Sequence, residues 1–200
     1  MLSRFLRPLL VLAVGAVAFA PAAHAHDAPA PAADGASIKA EFNVMLSDAE
    51  TKVLDLAQAT PADKYGWAPG KGVRTMSEVF MHMAGANYFI PTFVGQPVPE
   101  GVNPQAFEGT VKEKDAVIKT LKESFASAHA AIDKTKDLDT KIKLFGHDMT
   151  KRQALLILVT HSHEHLGQAI AYARSNDITP PWTAKAEAAA AEKAKAAGAK

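Results

Sequence analysis

Residues 150–174 read TKRQALLILVTHSHEHLGQAIAYAR, and the reading of this stretch decides the fold. Thr150 is a helix-capping residue, Ala154 to Val159 is apolar, and no proline interrupts the pattern before Pro180-Pro181, so one helix is expected from Thr150 to about Asn176. At about 100° per residue, His161 and His165 stack on one face a single turn apart, a geometry that lets both bind one metal ion. His163 lies two residues from each, about 200° round the helix, and is expected on a solvent or interhelix side. Gln168 returns to the face of the pair, where its carboxamide can hydrogen-bond a metal-bound water or a substrate. Glu164 sits beside that face as a candidate proton carrier.

Outward from this helix, three more segments carry apolar residues at helical spacing. Ile38, Phe42, Met45, Leu46, Val53 and Leu56 predict a helix from Ser37 to about Ala59, stopped by Thr60-Pro61. A loop follows, rich in Gly and Pro, with Tyr65 and Trp67 as its aromatics. Thr75 or Ser77 caps a second helix, in which Val79, Phe80, Met83, Ala86 and Phe89 keep the period to about Phe93. Residues 94–109 read as a long connection. Val117, Ile118, Leu121, Phe125 and Ile132 form the buried side of a third helix from about Thr110 to Lys134. The stretch from Lys141 to Met149 alternates polar and apolar around Gly146 and reads as a small hairpin-like turn. Four helices of this length predict an all-α four-helix bundle.

A third ligand for the His pair must come from another helix, and His82 is the candidate. It lies between Met81 and Met83 in an apolar helix, where an unpaired imidazole would be costly to bury. Glu78 is one turn before it on the same face, placed to orient the ligand or to carry a proton. His129 also falls in a buried register, where a hydrogen-bonded core histidine is the simpler reading. His147, next to Gly146 and Asp148, reads as surface.

Composition sets the bounds. A chain of 200 residues with 48% hydrophobic content suits one compact domain. Residues 1–25 have the layout of a secretory signal: Arg4 and Arg7, an apolar run from Leu9 to Ala20, then Ala23-His24-Ala25 as a cleavage site. That run is shorter than the ~20 residues a spanning helix needs, so no stable membrane anchor is expected after cleavage. The expected compartment is the periplasm, beyond the inner membrane. Residues 26–36, with HDAPAPAADG, read as a flexible leader, 37–182 as the domain, and 183–200 as an Ala/Lys-rich tail, frayed or disordered. With no cysteine, disulfides and thiolate metal ligands are excluded, so any metal must rest on His, Asp or Glu. The net charge of +1 counts Arg4 and Arg7; without them the chain is slightly acidic, and no basic field is left to attract nucleic acid.

Several features taken in order carry a family resemblance: the loop YGWAP, then RTMSEVFMHMA with His82, then THSHEHLGQAIAYAR, then PPW. From about Ser37 to Trp182 the chain resembles the DinB-like family of metal-dependent four-helix-bundle proteins. The resemblance implies up-down-down-up helix order and one divalent ion, commonly zinc or nickel. His82, His161 and His165 match the family's three ligands, and Gly167-Gln168 matches its trailing pair. Relatives include S-transferases that use low-molecular-weight thiols. Export argues against that substrate, because free thiols are scarce in an oxidising space.

Two functions are then open: a metal-dependent hydrolase or transferase acting on a small molecule, or a protein that only binds and sequesters the metal, helped by His26. A cleft lined by Trp67, Tyr88 and Gln168 would favour the enzyme, and a closed coordination shell the sequestering protein. A bundle that has lost its metal and only packs is a third reading, and homodimerisation through another helical layer is compatible with all of them. HSHEH also fits the H-x-x-E-H pattern of inverted zinc peptidases, but those are much larger and need a further acidic ligand downstream, where this chain has only its alanine-rich end.

Overall fold

The computed structural model describes residues 34–198; the expected signal segment and most of the leader lie outside the described residues. Helix α1 (Gly35–Ala59) begins two residues before the expected Ser37, because the Asp34 carboxylate caps it by accepting the Ser37 N–H at 2.7 Å. Ile38, Phe42, Leu46, Val53 and Leu56 are buried at steps of three, four or seven residues. Met45, expected in that stripe, is 42% exposed, since it lies about 100° round the helix from the fully buried Leu46. Lys114 closes the far end of α1 by donating to the carbonyls of Gln58 (2.7 Å) and Thr60 (2.8 Å).

Helix α2 (Met76–Phe89) starts in a reciprocal cap: Thr75 Oγ1 accepts the Glu78 N–H, and Glu78 Oε2 accepts the Thr75 N–H at 2.8 Å. The loop before it is tied down, because Tyr65 O and Trp67 O accept the N–H groups of Ser77 and Met76. Tyr65 is buried and donates its hydroxyl to Ala57 O. The α-helix ends at Phe89, short of the expected Phe93, because Pro91 has no N–H to continue it. Residues Ile90–Val94 tighten into a 3₁₀ turn closed by Gly95 at φ 89°.

The connection expected over 94–109 holds structure of its own: a 3₁₀ turn at Pro104–Ala106 and the short helix α3 (Phe107–Thr110). Gly85 lets this turn lie against α2, since a Cβ there would come within 3.3 Å of Pro104 O. Helix α4 (Lys114–Lys134) therefore starts four residues later than expected. Strands β1 (Lys141–Leu144) and β2 (His147–Thr150) form the antiparallel hairpin foreseen around Gly146, with Leu144 opposite His147. Helix α5 (Lys151–Arg174) is capped by Thr150 as expected. Helix α6 (Pro181–Gly198) shows the tail as helix with no buried residue, in keeping with its lack of bulky apolar side chains.

Helix α1 packs on α4 and α5, and α2 packs on the same two, so α1 and α2 occupy opposite corners of an all-α bundle. Leu46, Val53, Phe80, Met83, Phe125, Leu155 and Leu158 meet in its centre with no exposed surface. Each such side chain contributes about 1.5–3 kcal/mol by leaving water. Among the described residues no helix is long and apolar enough to cross a membrane.

Candidate metal centre

Helices α2 and α5 pack side by side, and this contact brings His82 to the His161–His165 face. One ring nitrogen from each of the three lies within 4.8 Å of the others, as ligation of one ion requires. His82 Nε2 and His161 Nε2 are 3.2 Å apart. Two ligands of a tetrahedral ion, each about 2.1 Å from it, sit about 3.4 Å from one another, so the spacing suits a shared ion.

Hydrogen bonds set how two of the rings present themselves. His82 Nδ1 lies 2.7 Å from Glu108 Oε1; a carboxylate only accepts, so Nδ1 carries the proton and Nε2 offers its lone pair. His165 Nδ1 donates to Gln168 Oε1 at 2.8 Å, and Gln168 Nε2 donates in turn to the Tyr172 hydroxyl at 3.1 Å. Imidazole ligands are commonly oriented by acceptors of this kind. His161 Nδ1 is buried without a hydrogen-bond partner, so no acceptor orients this ring through Nδ1.

Burial and neighbouring charge favour the neutral form of His161 and His165, the form that can ligate. Burial, then the nearby His165, His82 and Arg74, pushes the His161 pKa down to about 4. Burial also lowers that of His165, against the opposing effect of its hydrogen bond to Gln168. Around Glu108, partial burial pushes the carboxyl up, but hydrogen bonds from Arg74 and His82 outweigh it and keep the group below its ordinary range. Arg74 Nε reaches Glu108 Oε2 at 2.7 Å.

The expected neighbours are placed less uniformly. Gln168 stands where the helical repeat put it. Glu78 does not orient His82: its oxygens bind the Thr75 N–H and, at 2.7 Å, Lys112, which holds its carboxyl low. Lys112 also donates to Glu108 O, tying α2 to the end of α3. Glu164 is exposed on α5. Trp67 packs edge-to-face on Tyr172, 5.3 Å between ring centres, and so supports the Gln168–His165 pair from behind. Tyr88 is buried against Phe107, because position 88 lies about 240° round α2 from His82.

The cleft expected between Trp67, Tyr88 and Gln168 is thus not the one beside the histidines. A cavity of about 420 Å³ opens instead at His82, His161 and Glu108, with Phe89, Ile157 and Phe145 among its walls. Glu108 and this cavity had no signal in the sequence, since residues 94–109 show no period that assigns a face.

The other histidines are occupied elsewhere. His163 donates from Nδ1 to Val159 O and lies 4.0 Å from Asp48 on α1, an interhelix position. His129 is hydrogen-bonded to Asn43 and Glu50 across the α1–α4 contact, and His147 is exposed in the hairpin.

Known proteins share this arrangement at the level of the fold. A crystal structure of a DinB-like protein from Bacillus cereus ATCC 10987 superposes with a TM-score of 0.61 at 17% identity, covering 70% of this chain and 93% of that one. A DinB-like protein from Bacillus subtilis gives a TM-score of 0.56 at 20% identity over the same shares. No curated protein matches the sequence. The family model described as the DinB superfamily matches residues 45–169. That match spans more than half of the chain and encloses His82, His161 and His165, so the protein belongs to the DinB superfamily.

Proposed function

We propose that this protein is an exported metal-dependent hydrolase or transferase, in which His82, His161 and His165 hold one divalent ion, zinc or nickel, and the substrate is a small molecule. The observation that carries the reading is the convergence of three imidazoles, two of them oriented through Nδ1, with His82 and His161 lining a cavity. When bound, such an ion supplies a Lewis acid that polarises a carbonyl or phosphoryl oxygen and lowers the pKa of water. Three protein ligands leave a coordination position open, which supports catalysis over sequestration.

The chain's own residues set the rest. Glu108 and Gln168 hold the protons of His82 and His165 on Nδ1, so that Nε2 of each ring would be free to hold a metal. Arg74 keeps Glu108 ionised and fixed. For proton transfer, Glu164 is the candidate of the two expected carboxylates, because Glu78 is already committed to its cap and to Lys112. Export is supported by the signal-like residues 1–25.

Metal analysis of the protein purified from its native compartment, beside His82→Ala and His161→Ala, tests the centre. One equivalent of metal is expected in the parent and far less in either variant; equal content in all three would overturn the reading. The N-terminal sequence of the same sample, expected to begin at His26, tests export.

A further inference from the structure

The cavity beside the histidines has chemistry of its own. At about 420 Å³ it falls in the range of small-molecule sites. Its polar side chains are His82, Glu108, His161 and Gln105, whereas Ala86, Phe89, Ile90, Ile157 and Phe145 give it an extended apolar wall. The Glu108 carboxylate is ion-paired with Arg74, so this end offers a charged occupant no unpaired counter-charge.

Phe145 is the informative residue. It occupies the first position of the two-residue turn between β1 and β2, at φ 52°, followed by Gly146 at φ 82°. A turn with positive φ at both positions favours Asn, Asp or Gly, and a bulky ring there is a conflict between local sequence and backbone. Folding does not recover that cost by burial, since Phe145 is 61% exposed. The ring instead leans toward Phe89 and Phe93, at centroid distances of 6.3 and 5.9 Å, and Phe89 is itself 38% exposed. Aromatic surface is therefore gathered at the cavity wall and left uncovered by the protein.

We propose that the hairpin tip and the end of α2 form the specificity pocket of this site, and that its substrate carries an uncharged apolar arm, aliphatic or aromatic, beside the group presented to the histidines. The inference deepens the metal-centre reading and rests on it only for the position of the reacting group. An arm in this cavity covers Phe145 and Phe89, while the metal-binding head lies at His82 and His161. Phe145 is then a specificity residue rather than a catalytic one.

The probes are n-alkyl hydroxamates of two, six and eight carbons, whose head binds zinc, titrated into the zinc-loaded mature protein. A buried methylene is worth about a threefold to fourfold gain in affinity, so the eight-carbon compound should bind at least about tenfold tighter than acetohydroxamate, allowing for partial exposure. In Phe145→Asn this gain with chain length should largely disappear. The urea midpoint of that variant should not fall, because Asn suits the turn, which separates loss of the pocket from loss of the fold. Affinity independent of chain length, or a chain-length gain unchanged in Phe145→Asn, would overturn the proposal. Failure of the metal-centre reading looks different: acetohydroxamate would then bind zinc-loaded parent and His161→Ala alike, or neither. In that event, displacement of Nile red by 1-octanol from the parent, weakened in Phe145→Asn, still supports the pocket, and no displacement overturns it.

Discussion

Replacing Glu108 by Ala removes the acceptor that lies 2.7 Å from His82 Nδ1. A hydrogen bond to a charged group contributes about 1.5–3 kcal/mol. The His82 and Glu108 side chains are 28% and 36% exposed, so solvent screening places this pair near the lower end, about 1.5 kcal/mol. That is about a tenfold loss of zinc affinity, at the bottom of the about 10–100-fold range for acceptors that orient a histidine ligand. Glu108→Gln keeps an acceptor oxygen without the charge and should lose only about threefold. The assay is competition for zinc against a fluorescent chelator, with urea unfolding of the zinc-free proteins as a check that the bundle is intact. Parent-like affinity in Glu108→Ala, with zinc lost in His82→Ala, would refute the reasoning: His82 would then be oriented by packing alone.

The same assay addresses the second oriented ring: Gln168→Ala should weaken zinc binding by about tenfold, and Tyr172→Phe, which removes only the hydroxyl that accepts from Gln168, by less. Acid should destabilise the zinc-free protein through His161, whose folded-state pKa of about 4 lies below the ordinary 6.5. The unfolded chain takes up this proton first, so the contribution is complete above about pH 6.5 and is lost as the pH falls toward about 4. Urea midpoints across that window should fall more steeply in the parent than in His161→Leu, and parallel curves would count against it. Thr75→Ala should cost about 1 kcal/mol by opening the α2 cap, read as a fall in Tm of about 2–4 °C.

Much of the bundle is legible in the residues because helices announce themselves locally. Thr75 and Thr150 cap, Pro61 stops, and the steps between Phe42, Leu46, Val53 and Leu56 mark a buried face; each signal operates within a turn or two. The His161–His165 pair is equally local, since one turn of α5 is enough to align it. His82 joins it by a different route, as a polar ring that an apolar helix cannot bury unpaired. Periodicity alone was less reliable at edges: Met45 sits one position off the buried stripe, and Phe89 ends its helix half-uncovered beside the hairpin.

What acceptor faces His82 was a tertiary matter. Glu108 is 26 residues away in a segment without period, and it arrives through the Pro104 turn, which packs closely on α2 at Gly85. Aromatic residues were ambiguous for the same reason: Trp67, Tyr88 and Phe145 are equally plausible in a site or a core, and only packing separates the support behind Gln168, the contact with Phe107 and the wall of the cavity. The sequence by itself determined the helices, the His pair and its third partner, because hydrogen-bonded turns and the penalty for burying an imidazole depend on near neighbours. Tertiary structure decided which groups orient those rings and where a substrate has room, because these follow from distances between segments that no local pattern encodes.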